Sequence, residues 1–320
     1  MEKHYPSQKK KDIPVIAIVG PTASGKSDCA VACAIHLIKT RKKYDIQGAE
    51  IISADSRQVY KGFNLTSGKI TKKEMQGIKH HLLDVASPKK TFTVAHYQVR
   101  ARKAAQEIIH KGKVPILCGG SGFFIDSVLH DTTFPAVKPQ PALRQKLEKL
   151  SAETLFSLLQ KKDKNRAHTI DRRNKRRLIR ALEIIASTKK PIQPQAIKPF
   201  YNKTLIIGIN LKKDVLKERI EKRVRARIQK GMLREVMRLH QNGLSWNRLE
   251  HFGLEYRWIS RYWQKRISKD EMIQGLSRDI CHYAKRQMTW FKRNKNIVWV
   301  SQTKHAIDVI DSVLLEYSKD

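Results

Sequence analysis

The chain is predicted to fold as an α/β protein: a doubly wound parallel sheet of the P-loop NTPase type, with an inserted all-helical subdomain. Three observations predict this. Short, apolar, β-branched runs alternate with amphipathic helical stretches, the pattern of a parallel sheet wrapped by helices. The first of these runs leads directly into a glycine-rich loop and then a helix. Between the proline-rich segments "PAVKPQP" and "KKPIQPQAIKP", strand signal vanishes while helical periodicity continues.

Each element follows in order. "IPVIAIV" (13–19) is continuously apolar, as suits a strand buried on both faces. After the loop, "SDCAVACAIHLIKT" reads as a helix. "AEIISADS" (49–56) is a second short strand ending in a carboxylate, and "HYQVRARKAAQEIIHKG" (96–112) is an amphipathic helix stopped by Gly112. "VPILCGGSG" (114–122), "TLIIGIN" (204–210) and "IVWVS" (297–301) read as further strands. "QPALRQKLEKLSAETLFSLLQKKD" and "RRNKRRLIRALEIIASTKK" read as helices of the insert. "DVLKERIEKRVRARIQKGMLREVMRLHQNG" and "DEMIQGLSRDICHYAKRQMTWFKRN" are helical blocks before the last strand. The expected organisation is a frayed basic arm over 1–12, a phosphate-loop core over 13–134, a helical insert over 135–200, and a return to the core over 201–320.

Charge narrows the partners. Lys and Arg number 65 against 29 Asp and Glu, a net charge of +36. Such an excess opposes compaction unless an anionic partner neutralises it, and nucleic acid is the foremost candidate. A Lys-rich compositional bias would raise the charge in the same way. The cysteines, Cys29, Cys33, Cys118 and Cys281, form no CxxC pair, which argues against a zinc module. Cys29 and Cys33 share a helix face and are expected in the core. Paired His80 and His81 lack a further ligand at metal spacing, so a structural role is expected. No apolar run is long enough to span a bilayer, and the first residues lack the apolar core of a secretory signal, so the expected location is cytoplasmic, with no membrane partner.

The chemistry begins at Gly20-Pro21-Thr22-Ala23-Ser24-Gly25-Lys26-Ser27. This matches G-x-x-x-x-G-K-[ST] between a buried strand and a helix. Backbone N–H groups of such a loop form a nest for phosphate oxygens, and the helix N-terminus adds partial positive charge. Lys26 supplies a full charge, and the Ser27 hydroxyl is suited to ligate a Mg²⁺ ion that bridges the phosphates. Most proteins with this loop act on a nucleoside triphosphate and carry a Mg²⁺-holding acid at a second strand end. Here "VPILCGG" ends without a carboxylate; the strand-end acid is Asp55 in "ISADSRQVY". It should emerge beside the phosphate loop, at the carboxyl edge of the sheet. An acid in that place is equally a turn or cap residue.

"GPTASGKS", "IISADSRQVYKGFNLTSGK", "HHLLDV", "VPILCGGSGFF", "RRLIRALE" and "YAKRQMTWF" occur in the order seen in tRNA dimethylallyltransferases. The chain resembles that family from about Ile13 to Trp299. The resemblance implies transfer of a dimethylallyl group from dimethylallyl diphosphate to N6 of the adenine 3′ to the anticodon, in tRNAs reading codons that begin with U. It implies that the loop holds a departing diphosphate and that no ATP is split. The implied partners are the tRNA anticodon stem-loop and dimethylallyl diphosphate, with the protein acting as a monomer. Asp55 matches the family's general base, a role worth roughly 10²–10⁴-fold in rate.

Further roles follow from the same resemblance. Ser121 stands where the family usually has Thr in Gly-Gly-Thr, and keeps the hydroxyl near the reacting centre. Asp55, Ser56, Arg57 and Gln58 match the segment that touches the target nucleotide, which must leave its stack to react; Gln58 is suited to reading an adenine edge. Arg176, Arg177, Leu178, Ile179 and Arg180 match a tRNA-contact segment, and Arg144 aligns with another RNA contact. With Arg173, the arginines at 176, 177 and 180 form a basic helical stripe without interleaved acids, which favours RNA phosphates over a merely solvated face. Arg286 is expected as a second diphosphate clamp. Phe123 and Phe124 are candidates for the prenyl pocket or for the core. Trp290 and Phe291 are expected as core anchors.

The sequence departs from the family at Cys281, where relatives carry an arginine able to reach the diphosphate, and at "FGLEYR" (252–257), where a Gly-Tyr pair is expected. With no C-terminal zinc finger, the chain resembles the bacterial form. A P-loop nucleotide or small-molecule kinase, an adenylate isopentenyltransferase acting on free AMP or ATP, and a plain RNA-binding protein are the competing readings.

Overall fold

Val15, Ala17 and Val19 of the first strand belong to one hydrophobic cluster and Ile16 and Ile18 to another, so both faces of the strand are buried. This is why the opening run carries no polar alternation. The computed structural model describes residues 13–193 and 198–317; the arm over 1–12 lies outside the described residues.

The chain runs β1 (Val15–Val19), α1 (Lys26–Lys39), β2 (Ala49–Ser53), α2 (Lys72–Met75), β3 (His80–His81), α3 (Val94–His110), β4 (Val114–Gly119) and α4 (Gly122–Leu129). Four helices follow, α5 (Pro141–Glu148), α6 (Ala152–Lys162), α7 (Lys164–Thr169) and α8 (Lys175–Thr188). The chain then forms β5 (Thr204–Ile209), α9 (Lys213–Gln229), α10 (Met232–Gln241), α11 (Trp246–Phe252), α12 (Leu254–Trp263), α13 (Lys269–Phe291), β6 (Ile297–Val300) and α14 (Thr303–Tyr317).

The six strands form one parallel sheet in the order β3-β2-β4-β1-β5-β6. One face packs on α1 and α14, through Cys29, Cys33, Leu37, Ile310 and Leu314. The other packs on α3, α4 and the helices between β5 and β6. Register decides where the site lies. Val19 is level with Gly119, and Ser53 with Cys118, so β2, β4 and β1, which are neighbours, end together. The loops that leave their carboxyl ends therefore converge on one edge. The two-residue β3, which carries no periodic signal, extends that edge through Ile51 and Ile52.

Two compact units result. One is Asp131–Lys198, and the other comprises the chain on either side of it. The insert thus begins before the expected residue 135, because the core closes its own neck by bridging His130 to Pro199. Within the insert, Leu147, Leu155, Leu159, Leu178 and Leu182 form a separate small core. Glu183 is fully buried there, and holds Arg144 (2.7 Å), Arg180 and the Gln140 N–H (2.7 Å).

Candidate active site

The phosphate loop is shaped by its backbone. Gly20 has φ +155° and Gly25 has φ +88°, and a Cβ on Gly20 would press on the Ile209 carbonyl at 3.1 Å. Ala23 also adopts a left-handed φ of 62°. Gly25 caps α1 without a side chain, so the first N–H groups of the helix stay free for an anion. The Lys26 ammonium donates to the Pro21 carbonyl at 3.2 Å. Its pKa is lowered, first by burial, and also by the charges of Arg223 and Arg227. The buried Ser24 hydroxyl has no hydrogen-bond partner among the described residues. The loop N–H groups, the Lys26 ammonium and the Ser24 hydroxyl together form a cradle of donors suited to an anion.

Asp55 follows β2 on the same edge. Its Oδ1 accepts the N–H groups of Arg57 (2.7 Å) and Gln58 (3.3 Å). The turn reading and the base reading of Asp55 are thus compatible: one oxygen shapes the turn, and among the described residues none hydrogen-bonds the other. Ser121 N–H bonds the Ala54 carbonyl at 3.3 Å, and the Ser121 hydroxyl accepts the Ser56 N–H at 3.2 Å. Gly119 admits this close approach, since a Cβ there would strike the Ala54 backbone.

Two residues of α13, one turn apart, complete the floor, and sequence reasoning missed both. The Tyr283 phenol lies beside Asp55 and Ser121 and is pushed up to about 12, first by burial and then by the charge of Asp55. The Gln287 side chain accepts the Thr22 N–H at 2.8 Å and donates to the Gly120 carbonyl at 2.7 Å. The signal was present in "YAKRQ", where i,i+4 spacing puts 283 and 287 on one face. Arg286, one turn after Tyr283, is exposed, with its guanidinium 5.7 Å from the Tyr283 ring centre.

The arginines beside the loop come instead from α9. A cavity of about 490 Å³ is lined by Lys26, Ser27, Gly68, Arg219, Arg223 and Arg227, among others. Arg227 pairs with Glu255 at 3.7 Å, and its pKa is pushed down to about 10 by burial and then by Arg223. The repeat of arginine at 219, 223 and 227 was legible in "RIEKRVRARIQ" as one helical face. Cys281, standing where an arginine is usual, packs half-buried against the core near Lys217 and Glu221 of the same helix.

Other expected contacts need correction. The Gln58 amide is occupied within the protein: it accepts from the Ser53 hydroxyl (3.1 Å) and donates to the Gly68 carbonyl (3.3 Å). It braces the cavity wall and does not present a free edge to adenine. In the insert, Leu178 and Ile179 are buried in its core, because i,i+3/i+4 periodicity turns them inward, and they are not RNA-contact side chains. Arg144 and Arg180 are committed to Glu183, and Arg180 also reaches the Val137 carbonyl at 2.9 Å. Arg173 precedes the helix, whose cap is Asn174, so the stripe of four does not form. Arg176 and Arg177 are exposed on the first turn.

Phe124 is buried and stacks on Tyr97, whereas Phe123 is 50% exposed beside Trp290. Trp290 donates to Asp126 at 2.9 Å. His81 bonds Glu50 at 2.7 Å and His80 bonds the Ile78 carbonyl at 2.8 Å. Among the described residues no group of three His, Cys, Asp or Glu is placed to hold a metal. The Ser27 hydroxyl in the cradle is a donor of the kind suited to Mg²⁺, an ion that keeps its waters and binds mainly through substrate phosphates. Among the described residues no helix is long and apolar enough to cross a membrane.

Comparison with known proteins agrees with this geometry. The model of the IPP transferase family matches residues 58–294. A tRNA dimethylallyltransferase of Shouchella clausii is 39% identical over 293 residues, covering 89% of this chain and 90% of the relative. That of Bacillus subtilis is 36% identical over 299 residues, covering 91% of each. The crystal structure of the full-length tRNA isopentenylpyrophosphate transferase of Bacillus halodurans superposes with a TM-score of 0.69, at 31% identity, covering 96% of this chain and 98% of the other. A eukaryotic dimethylallyltransferase, in structures described as acting on tRNA, shares the fold with a TM-score of 0.72 at 22% identity, covering 90% of this chain and 73% of that one.

Proposed function

The chain belongs to the IPP transferase family, and from that premise we propose that it prenylates tRNA, moving a dimethylallyl group from dimethylallyl diphosphate to N6 of the adenine 3′ to the anticodon. The observation that carries this reading is the convergence, on one sheet edge, of a phosphate-loop anion cradle and a carboxylate with one oxygen uncommitted among the described residues.

In this reading the donor diphosphate lies on the free N–H groups of the loop and of the α1 terminus, against Lys26, Arg223 and Arg227. Charge grows on the diphosphate as the carbon–oxygen bond breaks, and preorganised donors stabilise it most at that moment. Mg²⁺ would sit at Ser27 and supply further neutralisation of the leaving group. The adenine amine attacks the allylic carbon, a carbon–nitrogen bond forms, and the N6 proton passes to the uncommitted oxygen of Asp55. Ser121 holds the base's turn in place by bonding the Ala54 carbonyl and the Ser56 N–H. A kinase reading gains nothing from the site, because neither β4 nor the turn after it ends in a carboxylate for Mg²⁺.

The test mixes the protein with dimethylallyl diphosphate, Mg²⁺ and total tRNA, followed by mass analysis of nucleosides. The expected product is a prenylated adenosine that disappears with Asp55→Ala while tRNA binding persists. Prenylation of AMP alone, or phosphate transfer from labelled ATP without prenyl transfer, overturns the reading.

A further inference from the structure

The cations of the cradle continue past its rim. Arg219, Arg223 and Arg227 recur at every fourth residue of α9, and Lys230, Arg234 and Arg238 carry the same spacing, shortened by one, into α10. Lys230 lines both the cavity beside the phosphate loop and a second groove of about 430 Å³, whose walls include Arg234, Met237, Arg238 and Trp263. We propose that this second groove is an outer docking site for the prenyl diphosphate, from which the donor is handed through Lys230 into the cradle. The inference rests on the prenyl-transfer reading above.

Three features support it. First, the register of α10 is locked. Glu235 is buried and receives the N–H groups of Asn64 (3.2 Å), Leu65 (2.8 Å) and Thr66 (3.0 Å), so α10 is tied to the loop that lines the cradle. With Glu235 turned inward, Arg234 and Arg238, one turn apart, stay exposed on the outer face. Second, no ion pair engages Lys230, Arg234 or Arg238 among the described residues, whereas Arg227 has Glu255. The carboxylate that acts on Lys230's neighbourhood is Glu74, already committed to capping Thr71. Third, the groove pairs its cations with an apolar wall. Met237 and Trp263 are half-buried, and the Trp263 indole N–H is spent on the Leu233 carbonyl at 3.1 Å. A doubly charged head on a short hydrocarbon tail matches cations set beside such a wall. A nucleobase would need a freely exposed aromatic face, which a half-buried, tethered indole does not offer.

A lined cationic path of this kind concentrates a small anion and raises its association rate, with a steep dependence on salt. The test uses the full chain bearing Arg234→Glu and Arg238→Glu, both exposed positions, with a thermal melt to confirm folding. Initial rates are measured against dimethylallyl diphosphate at saturating tRNA, in low and high salt. The expected result is a rise in donor KM of about three- to tenfold in low salt, of the size electrostatic steering supplies, with kcat unchanged and the gap closing in high salt. The charge-neutral pair Arg234→Gln and Arg238→Gln shifts KM the same way by less. An unchanged donor KM overturns the proposal, and so does a raised tRNA Kd with donor KM intact, which would make the groove an RNA surface. Failure here, with wild-type protein active, leaves the prenyl-transfer reading standing; wild-type protein without prenyl transfer ends both.

Discussion

Gln287 accepts the Thr22 N–H at 2.8 Å, and its amide nitrogen donates to the Gly120 carbonyl at 2.7 Å, so one side chain spans the loops after β1 and β4. Thr22 and Gln287 are far apart in sequence, and their contact couples the lie of the phosphate cradle to that of Ser121, the next residue after Gly120. Gln287→Leu, close to isosteric, leaves both backbone groups unpaired. The expected cost is about 1–3 kcal/mol of stability from the orphaned pair. A loss of roughly tenfold or more in prenyl transfer should accompany it, because small misplacements of catalytic groups are costly. Thermal melts and single-turnover rates on the same protein check both.

Asp55→Asn separates shape from charge. Asparagine keeps an oxygen for the Arg57 and Gln58 N–H groups, so the turn after β2 survives. The proton acceptor is removed. Transfer should fall by about 10²–10⁴-fold with tRNA affinity and melting temperature nearly unchanged. A variant that transfers at the wild-type rate would remove Asp55 from the chemistry.

Gly68 sits at φ +60° with the Arg227 and Arg223 guanidiniums packed over it. Gly68→Ala places a Cβ where the Arg227 guanidinium lies, at a backbone angle L-residues disfavour. The expected outcome is a raised KM for dimethylallyl diphosphate with tRNA affinity retained, measured by initial rates and by tRNA binding.

Glu183 makes the insert sensitive to acid. Burial favours its neutral form, but hydrogen bonds from Arg144, the Gln140 N–H and Arg180 prevail and hold its pKa at about 2, against an ordinary 4.5. A depressed folded-state pKa stabilises the fold above the unfolded value, and that contribution is lost as pH falls from about 4.5 towards 2. Protection of amides in 140–188 from hydrogen exchange should therefore decline over that window. Glu183→Gln, which leaves two arginines short of a counter-charge, should lower protection already at neutral pH and flatten the acid dependence. The insert contains no tryptophan, so exchange, not tryptophan fluorescence, reports on it.

Much of the fold was legible because its signals are local. A buried parallel strand is a continuous apolar run, and five of the six strands announce themselves in that way. β3 does not, because two histidines paired to Ile51 and Ile52 carry no periodicity. The phosphate loop was legible for the same reason: its chemistry lies in consecutive residues whose backbone makes the nest. The RNA-contact assignments of Leu178 and Ile179 failed for the opposite reason. A linear motif marks a helical segment but not which of its faces meets the ligand, and at 100° per residue Leu178 and Ile179 turn into the core while Arg176 and Arg177 stay exposed.

The sequence by itself determined the alternation of strands and helices, the anion-holding loop, the acid at the end of β2 and the helical character of the insert. Each depends on interactions between near neighbours in the chain. The tertiary structure alone decided that the loops after β1, β2 and β4 end level, that α13 contributes Tyr283 and Gln287, and that the cradle's arginines come from α9. Those facts depend on sheet register and on which helix face packs inward. Both are settled by burying apolar surface between segments far apart in the chain, which no local pattern encodes.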